Sequence, residues 1–315
     1  MPELPEVHTT VEGLKKVIVG KTIKDVWSDY YLKTAHGERK TIKNKKYFDK
    51  FRKIVKGGKI KSIERRGKNI LINLDNTQTI VVHMKMTGHL MYGQWRHGDL
   101  DVGLPLGSPA SKSRNWKSVT GGAFDDPYNQ YLHFVLTLSN GYQLALSDLR
   151  KFARIELIET AKLSDHKTFK TLGPDALDKK LTPKLLSMRL QRRPNLPIKL
   201  ALMDQTIIAG IGNIYADEVL WDTGILPTRK AGKISLVYAK KLLHSMRKIL
   251  KKSIAIGGDS KSDYRNIYGE RGGFHNYHMA YHMHGKACTK RGCSGIIERM
   301  KLGGRSAHFC PVHQK

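Results

Sequence analysis

Two short stretches of the sequence hold residues whose types and spacing could do chemistry. The first is the chain start, MPELPEVHTT, where Pro2, Glu3, Pro5 and Glu6 fall within six residues. A terminal proline, once its nitrogen is free, is a secondary amine. An α-amino group titrates near pKa ~8, against ~10.4 for lysine, so it is partly neutral at physiological pH and can act as a nucleophile. A neighbouring carboxylate such as Glu3 suits proton transfer, and both glutamates also suit the positive end of a helix. The second stretch holds all three cysteines, Cys288, Cys293 and Cys310, with His313 three residues after the last. Cys-x4-Cys, sixteen residues, then Cys-x2-His supplies three thiolates and an imidazole, a set suited to a closed tetrahedral zinc site. An odd cysteine count argues against a disulfide framework.

A third stretch, AGIGNIYADEVLW (209–221), sets Gly210 and Gly212 before a helical pattern. Its backbone amides and Asn213 would suit a phosphate, while glycines also occur there for close packing. Neither GK[ST] nor G-x-G-x-x-G follows, so no nucleotide cofactor is indicated. His275, His278, His282 and His284 could form a second metal cluster, but their spacing in a basic segment favours a solvated or phosphate-facing role.

Elements must position these groups. Pro5 suits the first turn of a helix over 5–19, with Val7, Val11, Leu14 and Ile18 on one face and Gly20 to end it. Strand patterns follow at 59–74, 79–86, 131–138, 142–148 and 153–158, with Ser139-Asn140-Gly141 as a hairpin turn. They predict a β-sandwich fronted by the first helix. Residues 92–130 show little periodicity and are expected as a long loop or insertion. Helical patterns follow: 182–190, with Thr182 as cap and Pro183 at the first position, and a long basic helix over 234–256. The glycine-rich 257–273 is expected as a mobile loop. Between the cysteine pairs, two short strand patterns around Leu302-Gly303-Gly304-Arg305 predict a hairpin with Arg305 at its tip.

The chain has 315 residues, and 56 lysines and arginines against 27 acidic residues give a net charge of +29. That excess, spread along the chain, implies a polyanionic partner, nucleic acid first. No apolar run is long enough to span a membrane and no leader pattern opens the chain, so a cytoplasmic protein is expected.

Assembled, the motifs resemble the formamidopyrimidine-DNA glycosylase family of base-excision repair enzymes. The resemblance rests on MPELPEV, RRGKNILINL (65–74), HMKMTG (83–88), SDLRKFAR (147–154), LGPDAL (172–177), AGIGNIYADE (209–218) and GGRSAHFCP (303–311), in that order along nearly the whole chain. It implies an α+β multidomain fold: an N-terminal catalytic β-sandwich (1–158), a helix–two-turns–helix domain (159–273) with a flexible lesion loop at 257–273, and a zinc finger (274–315). The implied activity is excision of oxidised purines, 8-oxoguanine and formamidopyrimidines, through a proline Schiff base, then strand nicking by β,δ-elimination.

The resemblance also implies roles. Pro2 is the nucleophile once Met1 is removed, Glu3 the acid/base, Glu6 an organiser of the pocket and Lys68 a catalytic lysine at a phosphate. Met86, Arg150 and Phe152 fill the hole left by the everted base, while Asn213 and Arg305 clamp phosphates. The implied partner is double-stranded DNA with oxidised bases or abasic sites, lying across a basic cleft and bound by a monomer. The finger departs from the family's usual four cysteines in two CxxC pairs, and 92–130 is longer than the usual connection. The alternatives are an endonuclease VIII-like enzyme for oxidised pyrimidines and a non-catalytic DNA-binding protein.

Overall fold

A computed structural model describes residues 1–32, 40–98 and 116–315. The chain forms two compact units. The first comprises residues 1–2, 6–165 and 257–272, the second residues 3–5, 166–256 and 273–315. Residues 257–272 thus group with the first unit and residues 273–315 with the second.

In the first unit, helix α1 (Leu4–Ile18) precedes β1 (Ile23–Ser28), α2 (Lys45–Val55), β2 (Ile60–Arg66), β3 (Asn69–Leu74), β4 (Gln78–His83) and β5 (His89–Gly93). Next come β6 (Trp95–His97), β7 (Trp116–Ser118), β8 (Leu132–Leu138), β9 (Gln143–Ser147) and β10 (Arg154–Glu159). Two antiparallel four-stranded sheets result, in the orders β1-β8-β9-β5 and β10-β4-β3-β2. The α1 stripe of Val7, Val11, Leu14 and Ile18 is buried in one core with Ile63, Ile72 and Val82 of one sheet and Phe134, Leu136 and Leu146 of the other. The predicted sandwich is therefore present, and α1 is part of its core.

Several expectations need correction. The 59–74 stretch is two strands, because Gly67 at φ 58° turns the chain at Gly67-Lys68. The 79–86 strand stops at His83, and Lys85 at φ 56° carries Met86 into a turn. The 92–130 stretch includes the end of β5, the β6-β7 pair and two 3-10 turns, at Gly122–Asp125 and Pro127–Gln130, while residues 99–115 lie outside those described. Residues 257–272 carry buried side chains and tertiary hydrogen bonds. Tyr264, Arg265 and Ile267 are buried, and the Arg265 guanidinium donates to both carboxylate oxygens of Asp126 at 2.9 Å. The Tyr92 amide donates to the Ile267 carbonyl at 2.7 Å, and Asn129 donates to that of Gly269 at 3.0 Å.

The second unit holds α3 (Lys167–Lys170), α4 (Pro183–Leu190), α5 (Ile198–Met203), α6 (Asn213–Thr223), α7 (Leu236–Ala255) and the hairpin β11 (Glu298–Leu302) to β12 (Arg305–Phe309). Thr182 caps α4 by accepting from the Leu185 amide at 3.2 Å. Helix α6 is buried on every face from Ile214 to Trp221, the mark of a central helix. Among the described residues no helix is long and apolar enough to cross a membrane.

Candidate active site and metal centre

The chain start is packed, not frayed: Pro2, Glu3, Leu4, Pro5 and Glu6 are all buried. Glu3 explains why. Its carboxylate accepts hydrogen bonds from the Gly212 amide at 2.6 Å and the Ile214 amide at 2.9 Å. These are orphan donors at the first turn of α6, where a negative charge is also favoured by the helix dipole. The amides expected to receive a phosphate therefore hold a carboxylate of the chain itself. The Leu4 amide adds a bond to the Gly210 carbonyl at 3.0 Å. Gly210 sits at φ 105°, and a Cβ there would lie 2.6 Å from the Leu4 side chain, so close packing accounts for this glycine. Asn213 begins α6, and its side-chain oxygen is buried with no hydrogen-bond partner.

Glu6 is fixed in the first unit. Its carboxylate accepts from the Asp259 amide at 2.7 Å, and its carbonyl accepts from the Tyr264 hydroxyl at 3.0 Å. Gly258, at φ 86°, leaves the room: a Cβ there would stand 3.0 Å from the Glu6 carboxylate. Burial pushes the Tyr264 phenol upward, so it remains a donor. Lys68 lies in the β2-β3 turn with only 5% exposure. Among the described residues, only Lys199 and Arg265 are other buried lysines or arginines, which separates Lys68 from a solvated surface cation.

Asp148 organises a third group that sequence reasoning did not single out. Fully buried, it accepts from the Tyr30 hydroxyl at 2.9 Å, from the Ala153 amide at 2.7 Å and from the Thr87 hydroxyl. Thr87, the neighbour of Met86, accepts in turn from the Arg150 amide at 3.1 Å. One carboxylate thus ties the turn carrying Met86 to the loop carrying Arg150 and Phe152. Lys151 takes φ 54° in that loop and pairs with Asp29 at 2.8 Å. The result is an exposed pair: the Arg150 guanidinium sits 4.4 Å from the centroid of Phe152, which is 45% exposed. Neither side chain serves the core, whereas Met86 is half-buried.

Helix α6 also positions the C-terminal hairpin. Asp217, one turn into the helix, pairs with fully buried Lys199 at 2.6 Å and accepts from the His308 amide at 3.1 Å and from its ring at 3.0 Å. The Lys199 ammonium also donates to the Ser306 carbonyl. Arg305 therefore stands exposed at the β11-β12 turn on an anchored strand, beside Gly303 and Gly304 at φ 53° and 73°. Glu218 accepts from the amides of Met279, Ala280 and Tyr281, at 2.8 to 3.2 Å, and fixes the start of the C-terminal segment. Burial nevertheless pushes its carboxyl upward. Asp217 and Glu218 close the AGIGNIYADE motif, but sequence reasoning gave them no role; Lys199 lies in no quoted motif.

The ligand atoms of Cys288, Cys293, Cys310 and His313 all lie within 4.8 Å of one another, so the group could hold a metal ion. The imidazole fits that role. Its Nε2 lies 2.9 Å from the Trp221 carbonyl and so carries the proton, leaving Nδ1, 3.3 Å from the Cys288 sulfur, free to ligate. Cys293 and Cys310 approach to 3.6 Å between sulfurs. Of the four histidines, His278 is buried, which corrects its expected solvated placement; His282 and His284 are exposed, and His282 stacks on His308. None of the four joins a metal group among the described residues.

Comparison with known proteins matches both units. Residues 1–155 match the formamidopyrimidine-DNA glycosylase N-terminal domain, and residues 172–265 match the H2TH domain of the same enzymes. The chain is 33% identical over 315 residues to a Ruegeria formamidopyrimidine-DNA glycosylase and 34% identical over 314 residues to one from Desulfitobacterium hafniense, each covering 100% of both chains. Among solved structures it is similar to Lactococcus lactis Fpg in complex with abasic-site DNA, at 29% identity and TM-score 0.78 over 99% of each chain. The same protein with DNA containing an oxidised pyrimidine matches at 29% identity and TM-score 0.77 over 100% of each chain.

Proposed function

Since the chain belongs to the formamidopyrimidine-DNA glycosylase family of base-excision repair glycosylases, we propose that it excises oxidised purines from duplex DNA and then nicks the strand, with Pro2 as nucleophile. The observation that carries the assignment is the fixing of Glu3 by the Gly212 and Ile214 amides. Held there, a carboxylate lies one residue from the proline nitrogen. While Met1 is attached, that nitrogen is a tertiary amide and inert, so removal of Met1 is a condition of activity.

In the proposed reaction the freed Pro2 amine bonds to the sugar C1′ as the bond from C1′ to the damaged base breaks, and the proton the amine loses goes to the departing base. Glu3 supplies a proton to the ring oxygen as the sugar opens, and the nitrogen lone pair completes an iminium. Loss of a C2′ proton then expels the 3′ phosphate, and a second elimination expels the 5′ phosphate. Buried Lys68 is proposed to hold a phosphate beside the lesion, with Asn213 and Arg305 clamping the strand.

Everting a base leaves a hole that must be filled. Phe152 is proposed to wedge between bases, Arg150 to pair with the orphaned partner and Met86 to occupy the remaining space. The exposure of Arg150 and Phe152 supports that reading over a core role.

The Cys3His group is proposed to hold one structural zinc ion, through Cys288, Cys293, Cys310 and His313. Bound there, the ion would clip the base of the β11-β12 hairpin and so support Arg305.

Borohydride reduction of the processed protein with an 8-oxoguanine duplex tests the whole reading. A covalent adduct through the N-terminal residue is expected, and its absence would falsify the assignment. Because the Lactococcus protein has been crystallised with an oxidised pyrimidine, duplexes carrying oxidised pyrimidines belong in the same panel. Faster turnover on those would favour the endonuclease VIII-like alternative.

A further inference from the structure

Within 92–130, the stretch longer than the usual connection, Asp126 stands between the two 3-10 turns and caps the second by accepting from the Tyr128 amide at 3.0 Å. The same carboxylate takes both Arg265 bonds and a further one from Arg271 at 3.1 Å. Arg265 is 1% exposed, and its guanidinium also faces the Tyr128 ring at 5.1 Å from the centroid. Asn129 is equally buried and donates to the Ala123 carbonyl at 2.8 Å as well as to Gly269. Gly269 takes φ 80°, and a Cβ there would lie 2.8 Å from the Asn129 side-chain nitrogen. The turns are therefore fastened to the 257–272 segment at Arg265 and again at Gly269.

That segment in turn holds the start of α1. The Arg265 guanidinium donates to the carbonyls of Ser262 at 2.9 Å and Tyr264 at 2.8 Å, which sets the backbone on either side of Asp263. From this backbone the Tyr264 hydroxyl and the Asp259 amide reach Glu6. The Tyr264 hydroxyl also lies 3.3 Å from that of Thr10, one turn further along α1. Asp263 feels the chain start directly: burial raises its carboxyl pKa, and the charge of the amine terminus is the largest influence opposing that rise. A continuous path thus runs from Asp126 through Arg265 and Tyr264 to Glu6, four residues from Pro2 and in the same unit. A buried guanidinium stays in place only while its counter-charge does.

We propose that Asp126 is a positioning residue for base excision: by anchoring Arg265 it fixes the segment that holds the first turns of α1, and with them the place of the Pro2 nitrogen. The inference rests on Pro2 being the nucleophile. A misplacement of about 1 Å at a reacting centre costs roughly 10²-fold in rate, so a pair that meets no reacting atom still governs the step. Asp126→Asn tests this with little disturbance of the turn. The retained oxygen still accepts from the Tyr128 amide, while the new side-chain amide faces Arg265 and Arg271 as a donor.

Two readouts on the full-length protein decide it. In hydrogen exchange without DNA, the Asp259 amide and the first two turns of α1 should exchange faster in Asp126→Asn, with β3 and β8 as protected as in the parent. Unchanged exchange at those amides would overturn the positioning role, whatever the activity. In single turnover at saturating 8-oxoguanine duplex, excision should slow roughly tenfold to a hundredfold, with duplex affinity unchanged. Asp126→Glu keeps the carboxylate and should recover most of that rate. An active parent matched by an equally fast Asp126→Asn would sink the proposal, as would a loss of affinity that accounts for the whole loss of rate. An inactive parent would refute the Pro2 reading instead, and exchange alone would then decide whether Asp126 holds the chain start.

Discussion

The Glu3 carboxylate stands 2.6 Å from the amide nitrogen of Gly212, two residues 209 positions apart in the chain. The start of the sequence is thereby seated on the first turn of α6. A helix terminus that could have received a ligand phosphate instead orients the proposed acid/base next to the proposed nucleophile.

Glu3→Gln replaces one acceptor oxygen by a donor, so one α6 amide loses its partner. Base release in single turnover should fall on the order of 10²–10⁴-fold, the usual worth of a general acid or base. Unfolding free energy should fall by about 1–3 kcal/mol, the cost of an unsatisfied buried donor. Affinity for a lesion duplex should persist. Retained excision in this variant would remove Glu3 from the chemistry.

Phe152→Ala distinguishes a wedge from a core residue. A buried phenylalanine costs about 3–5 kcal/mol on truncation, but an exposed one should shift stability by no more than about 0.5 kcal/mol. Thermal unfolding should be unchanged while excision slows. By contrast, Asp148→Asn should cost about 1–3 kcal/mol, because it leaves one of three donors unsatisfied. It should also slow excision by loosening the Arg150 loop. Equal unfolding curves for Asp148→Asn and the parent would contradict the organising role of Asp148.

Removing the metal should undo the C-terminal hairpin. Elemental analysis should find one zinc per chain, lost on prolonged chelation and absent from Cys310→Ser. Metal ligation of this kind contributes folding free energy directly, so the stripped protein should bind DNA weakly although its strand-rich unit stays folded by circular dichroism. A stripped protein with undiminished DNA binding would rule out the structural role.

His89 gives the stability a predictable acid limb. Burial, opposed in part by its hydrogen bond to Asn129, holds its pKa at about 4 against the ordinary 6.5. The native imidazole is neutral, with Nε2 2.7 Å from the Asn129 side-chain oxygen. Between pH 6.5 and about 4 the unfolded chain therefore binds more protons than the native one, and stability drops as pH falls. The contribution lost across that window is about 3 kcal/mol. His89→Gln should flatten the slope there in chemical denaturation, and an unchanged slope would assign the acid limb to other groups.

Much was legible in the sequence because it depends on local pattern. The α1 stripe, the Thr182 cap, the hairpin before Arg305 and the metal spacing are all short-range consequences of residue type. Motif order along the chain was enough to identify the family. Where a single residue at positive φ turns the chain, the strand pattern overruns: Gly67 divides 59–74 at the turn-rich RRGKN, and Lys85 follows a strand that ends at His83. The tertiary contacts of the 257–272 segment were not legible for a different reason. Its glycines suggest looseness, but buried Arg265 finds Asp126 139 residues away, and no window of local sequence contains that pair.

By itself, then, the sequence determined which groups this protein carries: an amine precursor at Pro2, its carboxylates, Lys68, exposed Arg150 and Phe152, and the Cys3His set. Tertiary structure decided where their polar atoms are satisfied. Glu3 meets α6, Asp148 joins the Met86 turn to the Arg150 loop, and Asp217 joins Lys199 to His308. Buried charges must find partners wherever the fold supplies them. Those partners are chosen by proximity in space, which the order of residues encodes only through the whole fold.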